Sequence, residues 1–414
     1  MIKRFLWLVL LALSLATLPA LAQTTTTATS VETSASAAPT AAPRIGIMTM
    51  KPGNIFWERF GHDAIVVVDP KTGESLNYNF GFFDPAAPDF VSRFARGEMR
   101  YQLAVLRTAD DLSIYRTEGR GASIQWLNLT PQEAIDMDRA LRLNAQPENA
   151  FYDYRYFTDN CATRVRDALN LAVGGELKSQ LQSRSQGLTY RSEAIRLADN
   201  AHWMRYLFDL GLGPKADTPM SMWDAGFVPG RLATSLTDFK RANGEPLVQN
   251  TEPVLEHQLR PDAVDPYFNW VVWLVAGIFV GLAYLWLAKR YRRASSILLT
   301  LTWLKFALFG LVLTYLWAFT AHDFAYANRN LYILSPLALI PLLFYWRRNP
   351  RLLQLSAAVV HVALPVIGLF DKWMFDPQQN AHWLALLVPV HFAIYLALAE
   401  IQWRNESSEP PRAE

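Results

Sequence analysis

Cys161 is the one cysteine in 414 residues, and it sits in Tyr156-Phe157-Thr158-Asp159-Asn160-Cys161-Ala162-Thr163-Arg164. A chain that leaves the cytosol ordinarily keeps cysteines in pairs, because its compartment favours disulfides. A lone thiol is then either a small buried hydrophobe or a retained nucleophile. The polar Thr158-Asp159-Asn160 ahead of Val165 and Leu169 reads as a helix start, with Thr158 or Asp159 as cap. Free N–H groups and the helix dipole in a first turn favour a thiolate, which predicts a lowered thiol pKa. The same N–H groups suit a developing oxyanion, and Arg164 and Arg166 add positive charge nearby.

Such a cysteine requires a base within hydrogen-bond reach. Of seven histidines, His361, His382 and His391 lie in or near long apolar stretches and His322 lies between two of them. His202 falls in a late helix and His257 in the tail before the first apolar stretch. His62 remains, in Phe60-Gly61-His62-Asp63-Ala64-Ile65-Val66-Val67-Val68, at the mouth of a β-branched strand. Gly61 permits close backbone approach there. A third group should orient the imidazole from the next strand. Asn77 and Asn79 share one face of that strand, and Tyr78 shares the other with Leu76 and Phe80. Asn79 is favoured, the alternative being an ordinary polar outward face.

The elements that must carry these residues read as strands first and helices later. Ile45–Met50, Ala64–Val68, Ser75–Phe80, Tyr101–Arg107 and Ser123–Leu129 are apolar, β-branched or alternating. Asp69-Pro70-Lys71-Thr72-Gly73 is a hairpin loop. Thr130-Pro131-Gln132-Glu133 has the form of a capping box with proline at the first helical position. A second helix runs from Cys161 to Gly174-Gly175, and a third covers Glu193 to Leu210. This predicts an α+β domain with helices on one side of an antiparallel sheet. About 220 residues, 44–265, are enough for one such core.

The chain ends say where this domain works. Met1-Ile2-Lys3-Arg4, an apolar run to Leu18 and Pro19-Ala20-Leu21-Ala22 read as a signal peptide over 1–22. Residues 23–43, nearly all Thr, Ala, Ser and Pro, read as a disordered tether. Five apolar stretches follow, at 268–288, 296–319, 331–346, 352–370 and 383–402, within a membrane domain over 266–404. Lys289, Arg290, Arg292 and Arg293 separate the first two, and Arg347, Arg348 and Arg351 the third from the fourth. By the positive-inside rule these loops and a 405–414 tail are cytoplasmic, which places 44–265 outside the inner membrane. Lys305, His361 and His391 are ionisable groups within apolar stretches, whereas Trp270, Trp346 and Trp403 read as interfacial anchors. The net charge of +2 comes with no basic-aromatic stripe, so no nucleic acid partner is expected. No metal or nucleotide motif is visible, and no cofactor is expected.

A strand-borne His followed by Asn-Cys at a helix start is similar to the circularly permuted papain-like fold of NlpC-type hydrolases and lecithin:retinol-type acyltransferases. More closely, Trp57-Glu58-Arg59-Phe60-Gly61-His62, Tyr78-Asn79-Phe80-Gly81-Phe82-Phe83-Asp84 and Tyr154 through Arg164 resemble the periplasmic domain of Lnb-type lipoprotein N-acyltransferases. The likeness covers most of 44–240. It implies a Cys161–His62 catalytic pair, with Asn160 and Tyr78 as supporting residues. His322, with Asn328 and Asn330, is similar to a His…Asn-x-Asn signature in the membrane part of that family. The resemblance implies acyl transfer from a membrane lipid or diacylglyceryl lipoprotein, through a Cys161 thioester, to a lipoprotein amine. The rival expectations are a membrane-anchored peptidase or amidase acting on cell-wall peptides, and a non-catalytic envelope scaffold.

Overall fold

Seven antiparallel strands form the sheet of the N-terminal domain, in the order β6-β4-β3-β2-β1-β5-β7. The computed structural model describes residues 41–261, 268–375 and 378–407, so the signal and tether readings at 1–40 and the last seven residues lie outside the described residues. In chain order the domain runs β1 (Arg44–Met50), β2 (His62–Val68), β3 (Ser75–Phe82), α1 (Phe90–Arg96), β4 (Arg100–Arg107), α2 (Thr108–Thr117), β5 (Ala122–Leu127), α3 (Pro131–Asn144) and β6 (Phe151–Asp153). It continues through α4 (Cys161–Ala172), α5 (Glu176–Leu181), α6 (Tyr190–Ala198), α7 (His202–Gly211), α8 (Met222–Ala225), α9 (Pro229–Thr237) and β7 (Val248–Leu255).

Both faces of the sheet are buried, for a reason visible in the period-two pattern. Ile45, Ile47, Ile65, Val67, Tyr78 and Phe80 point to one side and pack against Met137 and Leu141 of α3 and Val165 and Leu169 of α4. Met48, Met50, Ala64 and Val66 point to the other, where α2 adds Leu112 and Tyr115. Helices therefore cover both faces, whereas the sequence led us to expect one. The difference arises because α2 follows β4 without a loop and folds back across β3 and β4.

The local signals for α3 and α4 hold. Thr130 Oγ1 accepts from the Glu133 N–H at 3.3 Å and Glu133 Oε2 accepts from the Thr130 N–H at 2.7 Å. The cap of α4 is Asn160, not Thr158 or Asp159. Its Oδ1 accepts from the Thr163 N–H at 2.9 Å, and Thr163 Oγ1 accepts from the Asn160 N–H at 2.7 Å. The single helix expected over 193–210 is two, α6 and α7, broken at 199–201.

The C-terminal part contains α10 (Trp270–Arg290), α11 (Arg292–Ala318), α12 (Leu339–Trp346), α13 (Pro350–Ala358), α14 (Leu364–Phe375) and α15 (Ala381–Ser407). A π-turn at Val359–Ala363 joins α13 to α14. Among the described residues four helices are long and apolar enough to cross a membrane: Trp270–Arg290, Arg293–Ala318, Pro350–Phe375 and Ala381–Ile401. The apolar run at 331–346 is not a fifth such helix. It holds two short 3₁₀ turns and then α12, whose eight residues rise only about 12 Å. Pro336 removes a backbone donor just before α12, and Pro341 lies inside it. α10 and α15 pack closely at Gly277, where a Cβ would lie 2.3 Å from the Leu386 carbonyl oxygen.

The bundle has distinct ends. Tyr345 Oη donates to Ser296 Oγ at 2.6 Å, so the basic connections at 289–293 and 347–351 share one end. The sheet domain docks on the other. Asn328 Nδ2 donates to the carbonyls of Leu210, Gly211 and Leu212, and Asn330 Nδ2 to that of Leu210. Asp209 Oδ2 accepts from Trp383 Nε1 at 2.6 Å and meets His382 Nε2 at 2.5 Å. Mid-bundle, Trp303 Nε1 donates to His361 Nε2 at 2.7 Å. His361 Nδ1 lies 2.9 Å from His391 Nδ1, and His391 Nε2 lies 2.9 Å from the Ile333 carbonyl. Trp303 can only donate and the carbonyl can only accept, so this chain is satisfied by two neutral imidazoles.

Candidate active site

The residues at issue gather where β2 begins and α4 begins. Gly61, at φ 78°, turns the chain into β2, and a Cβ there would lie 2.8 Å from the Met50 carbonyl oxygen. Pairing of β2 with β3 stops at Ala64 and Asn79, which leaves His62 and Asp63 without a neighbour on β3. Cys161, the first residue of α4, packs on the sheet face near this strand end, where Asp63 acts on its thiol. The backbone N–H groups of Asp63, Ala162 and Cys161 itself lie near enough to its sulfur to favour the anion. The first of these belongs to the peptide that joins His62 to Asp63, so the histidine backbone is one peptide unit from the thiol.

His62 projects to the sheet face that carries Asn79. Its Nε2 lies 3.0 Å from Asn79 Oδ1, and Asn79 Nδ2 donates to Asp111 Oδ2 at 3.0 Å. Asn77 Nδ2 donates to the same Asp111 oxygen at 2.7 Å. With its amide nitrogen committed to Asp111, Asn79 must accept through Oδ1, which assigns the proton to Nε2 and leaves the lone pair on Nδ1. The structure forms no hydrogen bond between this ring and Cys161 Sγ; it brings His62, Asn79 and Asp111 together on one face and Cys161 to the same strand end.

The electrostatics differ from the expectation. Burial pushes the Cys161 thiol up to about 12, reinforced by the Asp63 carboxyl and opposed by the three backbone N–H groups. In the closed site desolvation outweighs the helix start. Arg164 and Arg166 do not help, because Arg164 pairs with Asp159 at 2.5 Å and Arg166 with Asp167 and the Trp223 carbonyl. Burial also holds the His62 imidazole below its usual value, with Arg120 acting in the same sense against Asp111 and Asn79. Asp63 is wholly buried; desolvation raises its carboxyl to about 7, against a hydrogen bond from Thr49 Oγ1 at 2.7 Å. Its Oδ2 has no partner. At neutral pH the thiol and the imidazole are therefore both neutral.

The other residues singled out by sequence take different places. Asn160 anchors the helix start, donating to the carbonyls of Tyr156 and Phe227 at 3.1 and 2.9 Å. Tyr78 is buried on the opposite face of β3 from Asn79. His322 lies in the connection after α11, its Nδ1 3.4 Å from Tyr156 Oη and its Nε2 3.0 Å from the Phe94 carbonyl. It thus ties the outer loop to the segment leading into Cys161. Asn328 and Asn330 hold the end of α7, away from the thiol. A cavity of about 360 Å³ opens between these parts, lined among others by Arg100, Tyr154, Arg155, Tyr156, Ala321 and Phe324.

Sequence reading missed Asp111, Asp63 and Tyr154. Asp111 sits in a helix that was not expected, and nothing in Asp110-Asp111 announces that the second carboxyl turns inward. Tyr154 lies against Gly81, where a Cβ would be 3.3 Å from its ring. Burial, and then the Cys161 thiol, raise its hydroxyl pKa, which keeps it a neutral donor. Among the described residues no group of three or more His, Cys, Asp or Glu side chains is arranged to hold a metal ion.

An antiparallel sheet domain docked on one end of a bundle of apolar helices defines a membrane protein with a water-facing N-terminal domain. Residues 32–199 match the Lnb N-terminal periplasmic domain and residues 259–402 match the Lnb transmembrane domain. The chain belongs to the Lnb-type family: it is a lipoprotein N-acyltransferase-like membrane protein whose N-terminal domain is periplasmic. No curated protein and no solved structure matches it.

Proposed function

We propose that this chain is a thiol acyltransferase working at the outer face of a bacterial inner membrane, with Cys161 as nucleophile and His62 as base. The observation that carries this is a lone, buried cysteine at the first position of α4, beside the strand end that carries His62 and Asp63, where backbone N–H groups favour its anion. His62 Nδ1 takes the thiol proton as sulfur attacks the carbonyl carbon of a phospholipid or diacylglyceryl-lipoprotein ester. The N–H groups hold the oxyanion, the C–O bond breaks, and the imidazolium returns its proton to the leaving alkoxide. An acyl-thioester remains. A lipoprotein N-terminal amine then attacks it, the C–S bond breaks, the amine proton passes through His62, and the thiol is restored. Asn79, held by Asp111, keeps the imidazole tautomer that this cycle uses. The strand-borne base ahead of a helix-start cysteine has the order of the permuted papain-like enzymes. The same reading counts five crossings, the third made by 331–346 as an irregular segment ending in α12.

The test is complementation. The wild type, Cys161→Ala and His62→Ala are expressed in cells depleted of their only lipoprotein N-acyltransferase, and lipoprotein acylation is scored by mass. Rescue by the wild type alone supports the proposal. Unchanged lipoproteins with altered muropeptides would favour the peptidase reading, and full rescue by Cys161→Ala would refute catalysis by this thiol.

A further inference from the structure

We infer that α7 is a membrane-surface helix: its outer face, with the turn at Phe56–Glu58 beside it, rests in the headgroup–acyl boundary of the outer leaflet. The helix lies outside both matched regions, 32–199 and 259–402. Successive residues turn by about 100° in an α-helix, so its neighbours map its directions. Tyr206 and Leu210 point to the bundle. Tyr206 is 6.0 Å from Trp273 and 6.3 Å from Trp383, in the first turns of α10 and α15, and Leu210 joins the bundle core. Met204 and Phe208 point to the sheet domain, with Phe208 6.0 Å from Phe56 and 6.2 Å from Phe60. Between these two directions lie Trp203 and Leu207, one turn apart and 61 % and 51 % exposed. They face sideways from the junction of the two parts.

That junction is where the bilayer surface must pass. Trp273 and Trp383 mark the outer ends of two apolar spans, the level at which tryptophan and tyrosine collect. The end of α7 is fixed to the same bundle end through Asn328 and Asn330. Ile55 and Trp57, 46 % and 53 % exposed, are further apolar side chains on the turn whose Phe56 meets Phe208 of α7. An apolar face at this height, continuous with the spans, fits lipid and is the geometry of an in-plane amphipathic helix. The inference does not depend on Cys161 being the nucleophile.

The test places a single environment-sensitive fluorophore on Trp203→Cys, Leu207→Cys or, as control, the exposed Leu143→Cys of α3, each in a Cys161→Ser chain. Full-length protein is reconstituted in liposomes of phosphatidylcholine and phosphatidylglycerol containing a nitroxide lipid labelled near the headgroup. Labels at 203 and 207 should lose most of their emission to the nitroxide and resist aqueous iodide, while the label at 143 shows the reverse. If Cys161→Ser does not fold, the same labels can be attached with the buried Cys161 retained, using the unsubstituted chain as background. Iodide quenching at 203 and 207 equal to that at 143 would overturn the inference. Quenching at only one of them would overturn the in-plane orientation. Protection from iodide without nitroxide quenching would assign the face to a protein contact and overturn it as well.

Discussion

Replacing Asp63 with Asn should stabilise the folded protein at alkaline pH and make Cys161 more reactive. Asp63 is 0 % exposed, its Oδ1 accepts from Thr49 and its Oδ2 has no partner. Its carboxyl titrates near 7 in the fold, against an ordinary value of 3.8. Between those values the folded state keeps a proton that the unfolded chain has lost, so stability falls as pH rises through this window. At about 1.36 kcal/mol per pH unit the loss is about 4 kcal/mol, fully present above pH 7. Asparagine keeps an acceptor for Thr49 and removes the ionisation cost. It also sets an N–H where Oδ2 lacked a partner, which costs about 1–3 kcal/mol. The net gain at pH 8 is then about 1–3 kcal/mol, or roughly 5 °C for a domain of this size.

Thermal unfolding of the detergent-solubilised full chain between pH 5 and 8.5 measures this directly. The variant should melt higher than the wild type at pH 8 and lose that advantage near pH 5, where less of the cost remains. A difference that is negative at pH 8, or that does not change with pH, would refute the assignment of a buried, ionisable, half-partnered carboxyl. The thiol supplies a second readout. The Asp63 charge is one of the causes holding Cys161 high, so alkylation by iodoacetamide at pH 8.5 should be faster in Asp63→Asn. Slower alkylation would show that the amide disturbs the site rather than discharging it.

Asp111→Asn removes the charge that raises His62, so the acid limb of the pH–rate profile for acyl transfer should move to lower pH; an unmoved limb would mean that another group titrates. Both amides donate to the one Asp111 oxygen, which the asparagine Oδ1 replaces, so the same change should shift the melt by no more than about 1 kcal/mol. Asn328→Ala removes the side-chain donor of the Gly211 carbonyl and one of the two donors that Leu210 shares with Asn330 and Leu212 with Arg191, and hydrogen exchange over 202–212 should accelerate by about 2- to 10-fold.

Much of the scaffold was legible because its physical signals are local. The cores of β2 to β5 show β-branched or alternating runs, the Thr130–Glu133 box announces α3, and Asn160-Cys161 opens α4 within a residue of the expected cap. The losses share one cause: pairing and burial decided across the sequence. β7 finds β5 more than a hundred residues away and carries the exposed Asn250, Glu252 and Pro253 of an edge strand. α1 and α2 are too short for their periodicity to stand out. Hydropathy counted 331–346 as a span by length alone and was blind to the break at Pro336. Strand alternation puts Asn79 on one face of β3, and there it meets His62; Asp111 carries no such local signal, because its inward turn depends on two asparagines of another strand.

The raised thiol pKa bears on what kind of catalyst this site would be. A group near 12 in water at pH 7 would leave its anion about 7 kcal/mol uphill, so Cys161 is not a standing thiolate in the way a cysteine beside an imidazolium is. On the proposed reading, its proton has to move to a base inside the site as the carbonyl arrives. A neutral His62 with its lone pair on Nδ1 is the group in the right state to take it. The burial that suppresses the free thiolate would also keep water from the thioester. On this reading an acyl-enzyme buried in this way waits for an acceptor that reaches the site from the bundle side, which favours an amine borne on a lipid-anchored chain over hydrolysis. Quantifying free fatty acid against acylated lipoprotein released by the purified, reconstituted enzyme decides the point: transfer should exceed hydrolysis several-fold, and predominant hydrolysis would show that the closed geometry does not serve to exclude water.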